Sequence, residues 1–151
     1  MIRPLVLHPD PRLAEISKPV TRLDALGTLV RDLFDTMYDA QGRGLAAVQI
    51  GFMQRVFVMD ADWKTGTPAP QVFVNPVIAD HATELVVLEE GCLSIPDTPR
   101  RVARPAQVAL KWQDENGLPM TGTFTGFEAA CIQHELDHLE GKTILDHPDA
   151  S

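Results

Sequence analysis

The sequence predicts an α+β domain: a mostly antiparallel sheet with an N-terminal helix and a second helix, bearing a His-Glu-x-x-His pattern, packed on it. Three observations predict it. Two stretches with helical periodicity lie towards the two ends of the chain. Between them come short runs with strand character, separated by clusters of Pro, Gly and Asp. One separator contains Asn-Gly, the strongest short-range signal for an antiparallel hairpin.

In chain order, the first helix is expected over about residues 23–39, where Leu26, Val30, Leu33, Phe34 and Met37 recur at spacings of three and four. Thr21 or Asp24 can cap its start, and Gly42 lies just beyond its end. Strands are expected at 55–59, 71–75, 84–88, 107–112 and 120–124, on their alternation and β-branched content. Asp114-Glu115-Asn116-Gly117 makes the turn between the last two. The second helix is expected over about residues 126–140. Thr125 with Glu128 is a capping-box signature, and Gly141 suits the C-terminal stop.

The chain has 151 residues, with no internal repeat or linker, and reads as one domain spanning 1–151. Hydrophobic residues at 44% and charged residues at 23% exclude a disordered or fibrous chain. A formal net charge of −8 argues against direct nucleic-acid binding by charge. No apolar run approaches the roughly 20 residues of a membrane span. The N-terminal apolar patch is broken by prolines and is no signal peptide, so a cytoplasmic location is expected. Two cysteines are too few for a disulfide scaffold. Cys131 lies in an apolar helical stretch and reads as core; Cys92 needs a separate account.

The chemistry lies in His134-Glu135-Leu136-Asp137-His138. Positions i and i+4 of a helix share a face, so both imidazoles can reach one metal ion, with Glu135 as a general base between them. The competing reading is two solvated histidines on a polar face. A third ligand decides between the two. The metzincin pattern would put it at Ile144, and His147 comes three residues late. An upstream ligand is therefore needed, and Cys92, beside Gly91, is a candidate. A thiolate with two imidazoles leaves a fourth position open, which is the form of a catalytic site. Cys92 can equally be a buried core residue; spacing alone leaves both readings open.

Three segments, in order, resemble the peptide deformylase family: Gly42-Arg43-Gly44-Leu45-Ala46-Ala47-Val48-Gln49, Glu90-Gly91-Cys92-Leu93-Ser94 and Gln133-His134-Glu135-Leu136-Asp137-His138. The resemblance implies a metal-dependent hydrolase that removes the formyl group from the N-terminal formyl-methionine of nascent peptides. It implies Cys92, His134 and His138 as metal ligands, Glu135 as general acid/base, and Gln49 with the Leu93 N–H as oxyanion donors. Gly44 and Gly91 would let an extended peptide approach as an added strand, and Phe127 would line a methionine pocket. Glu90 and Asp137 would be scaffold carboxylates. The metal implied is Fe²⁺, with Zn²⁺, Ni²⁺ or Co²⁺ as substitutes. The partner implied is an N-formylated peptide, in transient proximity to the ribosome, with no membrane.

Three features depart from the family pattern, the smallest being Val48 where Pro or Thr is commoner. Arg43 stands where Ile or Val is usual, beside the pocket for the first side chain, and must reach water or a carboxylate. The chain also ends soon after Gly141, where many bacterial members continue into a further helix, and its short polar tail is expected to fray. These departures keep two alternatives open: a deformylase-like paralogue acting on another N-formyl or N-acyl compound, and a zinc-binding module without turnover.

Overall fold

A computed structural model describes residues 1–150. It is α+β, as the sequence predicts. Strands β1 (Gly44–Ala46), β2 (Val56–Met59), β3 (Gln71–His81), β6 (Gln107–Gln113) and β7 (Pro119–Thr125) form an antiparallel sheet in the order β1-β2-β3-β6-β7. β4 (Leu85–Cys92) and β5 (Ile95–Pro105) form a separate antiparallel pair. Helices α1 (Leu26–Asp39) and α2 (Gly126–Leu139) cover opposite faces of the sheet.

Strand β2 shows why the sheet is covered on both sides. Every residue in it is buried, and the period-2 alternation sends Val56 and Val58 to the α1 side and Phe57 and Met59 to the α2 side. On the first face Leu26, Leu33 and Met37 of α1 close the core; on the second Ile132, Leu136 and Leu139 of α2 do so. Full burial of each such side chain is worth about 1.5–3 kcal/mol. The chemistry-bearing helix is thus locked by its apolar face against the middle of the sheet.

All five expected strands are present. β1 and β5 are additional, and both are hard to read locally. β1 is three residues of a glycine-rich run. β5 contains Pro96, Pro99 and Pro105, which remove ladder donors and are tolerated because β5 pairs only with β4. The β6–β7 turn forms as expected, with Gly117 in the left-handed region at φ 85°.

The helix ends correct several details. Neither Thr21 nor Asp24 caps α1; a 3₁₀ turn at Leu23–Ala25 leads into it, and Ala25 occupies the capping position without a side-chain bond. At its C-terminus Gln41, not Gly42, takes the left-handed conformation, while the Gly42 N–H donates to Met37 O at 2.8 Å. Thr125 makes no side-chain bond at the start of α2, so the capping box does not form. Gly141 does stop that helix, at φ 74°, with the Lys142 N–H on Asp137 O at 2.8 Å.

As far as Ala150, the tail is held against the body of the protein and not frayed as expected. Thr143 caps a 3₁₀ turn at Ile144–Asp146, and Ile144 is buried against Cys92, Ile95 and Val102. Arg100 Nε donates to His147 O at 2.9 Å, and the Ala150 N–H to Arg101 O at 2.8 Å. The free edge of β5 supplies partners that the polar composition of the tail does not reveal. No helix among the described residues is long and apolar enough to cross a membrane.

Candidate active site

Helix α2 sets His134 and His138 one turn apart, with ring centroids 5.0 Å from each other. Cys92 ends β4, just after the register shift that follows Glu90, and this bulge re-aims its thiol. The ligand atoms of Cys92, His134 and His138 all lie within 4.8 Å of one another, and Cys92 Sγ is 3.4 Å from His138 Nε2. All three residues are buried. One soft sulfur and two imidazoles form a donor set that suits several divalent transition metals.

The surroundings fit a cation. Glu90 Oε1 lies 3.0 Å from His134 Nδ1, so Nε2 is the nitrogen left to ligate. Burial opposes charge on His134, but Glu135, Cys92 and Glu90 outweigh it and push its pKa up to about 10. The site thus attracts positive charge, and a divalent ion competes with that proton. Burial, reinforced by His134, holds His138 well below its usual pKa, in the neutral form a ligand requires.

Behind the histidines the two expected scaffold carboxylates, Glu90 and Asp137, are joined by Arg104, which the sequence does not single out. Arg104 is 5% exposed, and its guanidinium grips both Glu90 oxygens, Nε to Oε2 at 2.7 Å and Nη2 to Oε1 at 2.9 Å. Its Nη1 donates to Asp137 Oδ2 at 2.9 Å. Burial disfavours the Glu90 carboxylate, yet His134 and Arg104 bring its pKa down to about 2. His147, unsuited as a metal ligand, lies instead 2.7 Å from Asp137 Oδ2. Nothing local in Arg100-Arg101-Val102-Ala103-Arg104 singles out its third arginine; only the β4–β5 register, with Val86 opposite Arg104, brings it there.

Glu135 is 3% exposed and its Oε1 has no partner. Burial raises its carboxyl pKa to about 7, with His134 opposing. Such a carboxyl can both take and return a proton near neutral pH. Gly44 makes room for it: a Cβ there would lie 2.7 Å from Glu135 Oε2 and 2.8 Å from Cys131 Sγ. Cys131 is core, as expected, but also walls the cavity described below.

Gln49 sits in a 3₁₀ turn at Ala47–Ile50. Its Oε1 accepts from the Ala46 N–H at 3.0 Å, which fixes the amide. Its Nε2 donates to Ser94 Oγ at 3.1 Å and lies 3.7 Å from Cys92 Sγ. Ser94, fully buried, is a second partner that the sequence reading left without a role.

These groups line one cavity of about 550 Å³ between β1, the β4–β5 hairpin and α2. Gln49, Cys92, Leu93, His134 and Glu135 line it, as do Arg43, Gly44, Gly91 and Phe127; His138 is fully buried behind its wall. Arg43 is half-buried at the cavity and pairs with no carboxylate among the described residues; its guanidinium carbon also lies 4.9 Å from the Phe127 ring centroid, a cation–π contact.

Residues 2–151 match the model of the family described as Polypeptide deformylase. A peptide deformylase of Mesorhizobium japonicum is 50% identical over 147 residues, covering 97% of this chain and 84% of the relative. That of Brucella suis is 47% identical over 148 residues, with the same coverage of 97% and 84%. Among solved structures, a peptide deformylase from Legionella pneumophila superposes with TM-score 0.93 at 42% identity, covering 99% of this chain and 88% of that one. A class I type b peptide deformylase from Acinetobacter baumannii with Met-Ala-Ser bound superposes with TM-score 0.91 at 29% identity, covering 98% and 99% of the two chains.

Proposed function

The chain belongs to the polypeptide deformylase family, and from that premise we propose how its own residues carry the reaction. It is a metal-dependent amide hydrolase, and its substrate class is peptides that begin with formyl-methionine. Neither the zinc-binding module without turnover nor the paralogue for another acyl group has an observation in its favour. The single catalytic domain spans 1–151. Cys92, His134 and His138 hold one divalent ion, Fe²⁺ in the first place, with Zn²⁺, Ni²⁺ or Co²⁺ able to replace it. When bound, such an ion supplies Lewis acidity and a source of hydroxide near neutral pH.

The residues divide the remaining work. Glu135 takes the proton of the attacking water on its unpartnered carboxylate oxygen and returns it to the departing amine nitrogen. Gln49 Nε2 and the Leu93 N–H donate to the formyl oxygen as negative charge develops there. The Glu90–Arg104 pair holds the His134 ring through Nδ1. Gly44 and Gly91 let an extended peptide pass close to both walls, and Ala130 and Cys131 floor the pocket for methionine, with Phe127 at its outer edge. The reaction belongs in the cytoplasm, in transient proximity to the ribosome, where nascent formylated chains arise.

One observation carries this reading: a buried carboxylate with an unpartnered oxygen stands beside a cysteine–histidine–histidine cluster on the wall of a peptide-sized cavity. Formate release from formyl-Met-Ala-Ser under anaerobic conditions tests it. Release should stop on chelation of divalent ions and return with Fe²⁺. Release that persists in chelator, or no release by the iron-loaded protein, contradicts the reading.

A further inference from the structure

Arg43 carries a charge that hydrolysis of a formyl amide does not need. Its backbone is pinned, because its carbonyl oxygen accepts from the Asp60 N–H at 2.8 Å. Its guanidinium caps the Phe127 ring at the mouth of the cavity. Among the described residues no carboxylate forms an ion pair with it. Lys64 lines the same mouth, held there by Trp63, whose indole N–H donates to Gly42 O at 2.9 Å. In a chain of net charge −8, these two cations make one rim of the cavity basic, while Glu89 and Asp97 line it elsewhere.

We infer that Arg43, stacked on Phe127, is a specificity determinant that takes a carboxylate carried at the third residue of the formylated peptide. The inference deepens the deformylase reading and rests on it. Its geometry follows from two periodicities. Phe127 and Glu135 are separated by two turns of α2, roughly 12 Å at ~1.5 Å per residue. An extended peptide advances ~3.3 Å per residue and returns to the same face every second residue. With methionine over Ala130 and Cys131, about one turn of α2 inward of Phe127, the second side chain points away and the third comes back ~7 Å further on, beside the Phe127 end of the helix. A glutamate there reaches the guanidinium. So does the free C-terminal carboxylate of a tripeptide, and the chemistry recognised is the same in both.

Five substrates separate the possibilities: formyl-Met-Ala-Glu, -Gln and -Lys, each as the C-terminal amide, and formyl-Met-Ala-Ala with a free carboxyl end and as its amide. For wild type at low salt, kcat/KM should favour Glu over Gln by about threefold to fivefold, the range of a partly exposed ion pair, and Lys should rank last. The preference should shrink at ~0.5 M salt, where such pairs are screened. It should collapse towards unity in Arg43→Gln and survive in Arg43→Lys, which keeps the charge without the planar fork. An advantage confined to the free-acid tripeptide assigns the carboxylate to the chain end; one confined to the Glu amide assigns it to the side chain. Equal rates across all charges, or a preference untouched by Arg43→Gln, overturn the inference while leaving the deformylase reading intact. Absence of turnover on every formyl peptide overturns the deformylase reading and takes this one with it.

Discussion

Replacing Gly44 with alanine puts a methyl group where the structure has no room for one. The new Cβ lies 2.7 Å from Glu135 Oε2, 2.8 Å from Cys131 Sγ and 3.3 Å from Glu135 Cδ, whereas ordinary contact begins at 3.4 Å. Relief at the oxygen alone needs a shift of about 0.7 Å, and the larger sulfur needs more. Cys131 and Glu135 stand one turn apart on the same buried helix, so one small rotation cannot free both. Either α2 moves away from β1 or the Glu135 carboxylate leaves its place. The first route is overpacking, at about 1–3 kcal/mol, or a fall in melting temperature of roughly 3–10 °C for a chain of this length. The second displaces the proton carrier by an amount approaching 1 Å, which costs about 100-fold in rate. The effect should fall on kcat rather than KM, with the metal retained. Gly42→Ala is the matched comparison. Its Cβ would lie 2.7 Å from Leu93 Cδ1, the end of a flexible side chain that can change rotamer for about 1 kcal/mol. Steady-state formate release, metal content and thermal melts of both variants give the answer. A Gly44→Ala protein with wild-type kcat and melting temperature refutes the close packing of β1 on Glu135.

Three further outcomes follow from the same structure. Gly141→Ala meets backbone, not a movable side chain: its Cβ would lie 2.5 Å from Ala14 O, at a φ of 74° that alanine resists, so urea melts should show a loss of about 2–3 kcal/mol. Arg104→Met leaves the Glu90 and Asp137 carboxylates without their shared cation; stability should fall by about 3–5 kcal/mol and metal affinity by about 10- to 100-fold, measured by melts and by competition with a chelator. Tyr38 is the only tyrosine in the chain, and burial together with its hydrogen bond to Asp60 raises its pKa to about 12. Absorbance at the phenolate band should therefore show one transition near pH 12, moving down in Asp60→Asn. The unfolded phenol ionises near pH ~10, so the folded state binds more protons between the two values and stability falls as pH rises through that window. A wild-type transition near 10 contradicts the Tyr38–Asp60 contact.

How much was legible depended on whether a residue's role was local. The amphipathic spacing of α1, the five strand runs and the Asn-Gly turn are local signals, and each produced its element. The His134–His138 pair follows from helical geometry alone. Cys92 was reachable as a candidate third ligand, but only the resemblance joined it to the histidines before the fold brought the three together. What escaped depends on pairings far apart in sequence. β5 is unreadable locally because its prolines are tolerated only at an edge. Arg104 acquires its role because β5 lies against β4 and delivers it between Glu90 and Asp137. Residues 143–150 carry little local signal and are held in place because that same edge offers Arg100 and Arg101 as partners. The capping box was a false local signal: Thr125 has the right identity and spacing, but its side chain makes no capping bond.

In the mechanism proposed above, Cys92, His134 and His138 hold the metal while Glu135 alone carries the proton. Wild type and Glu135→Ala, purified anaerobically and loaded with Fe²⁺, test it when metal content and formate release from formyl-Met-Ala-Ser are measured on the same samples. One ion per chain is expected in both proteins, with turnover in wild type only. Turnover by Glu135→Ala at a comparable rate, or its loss together with the metal, would contradict it.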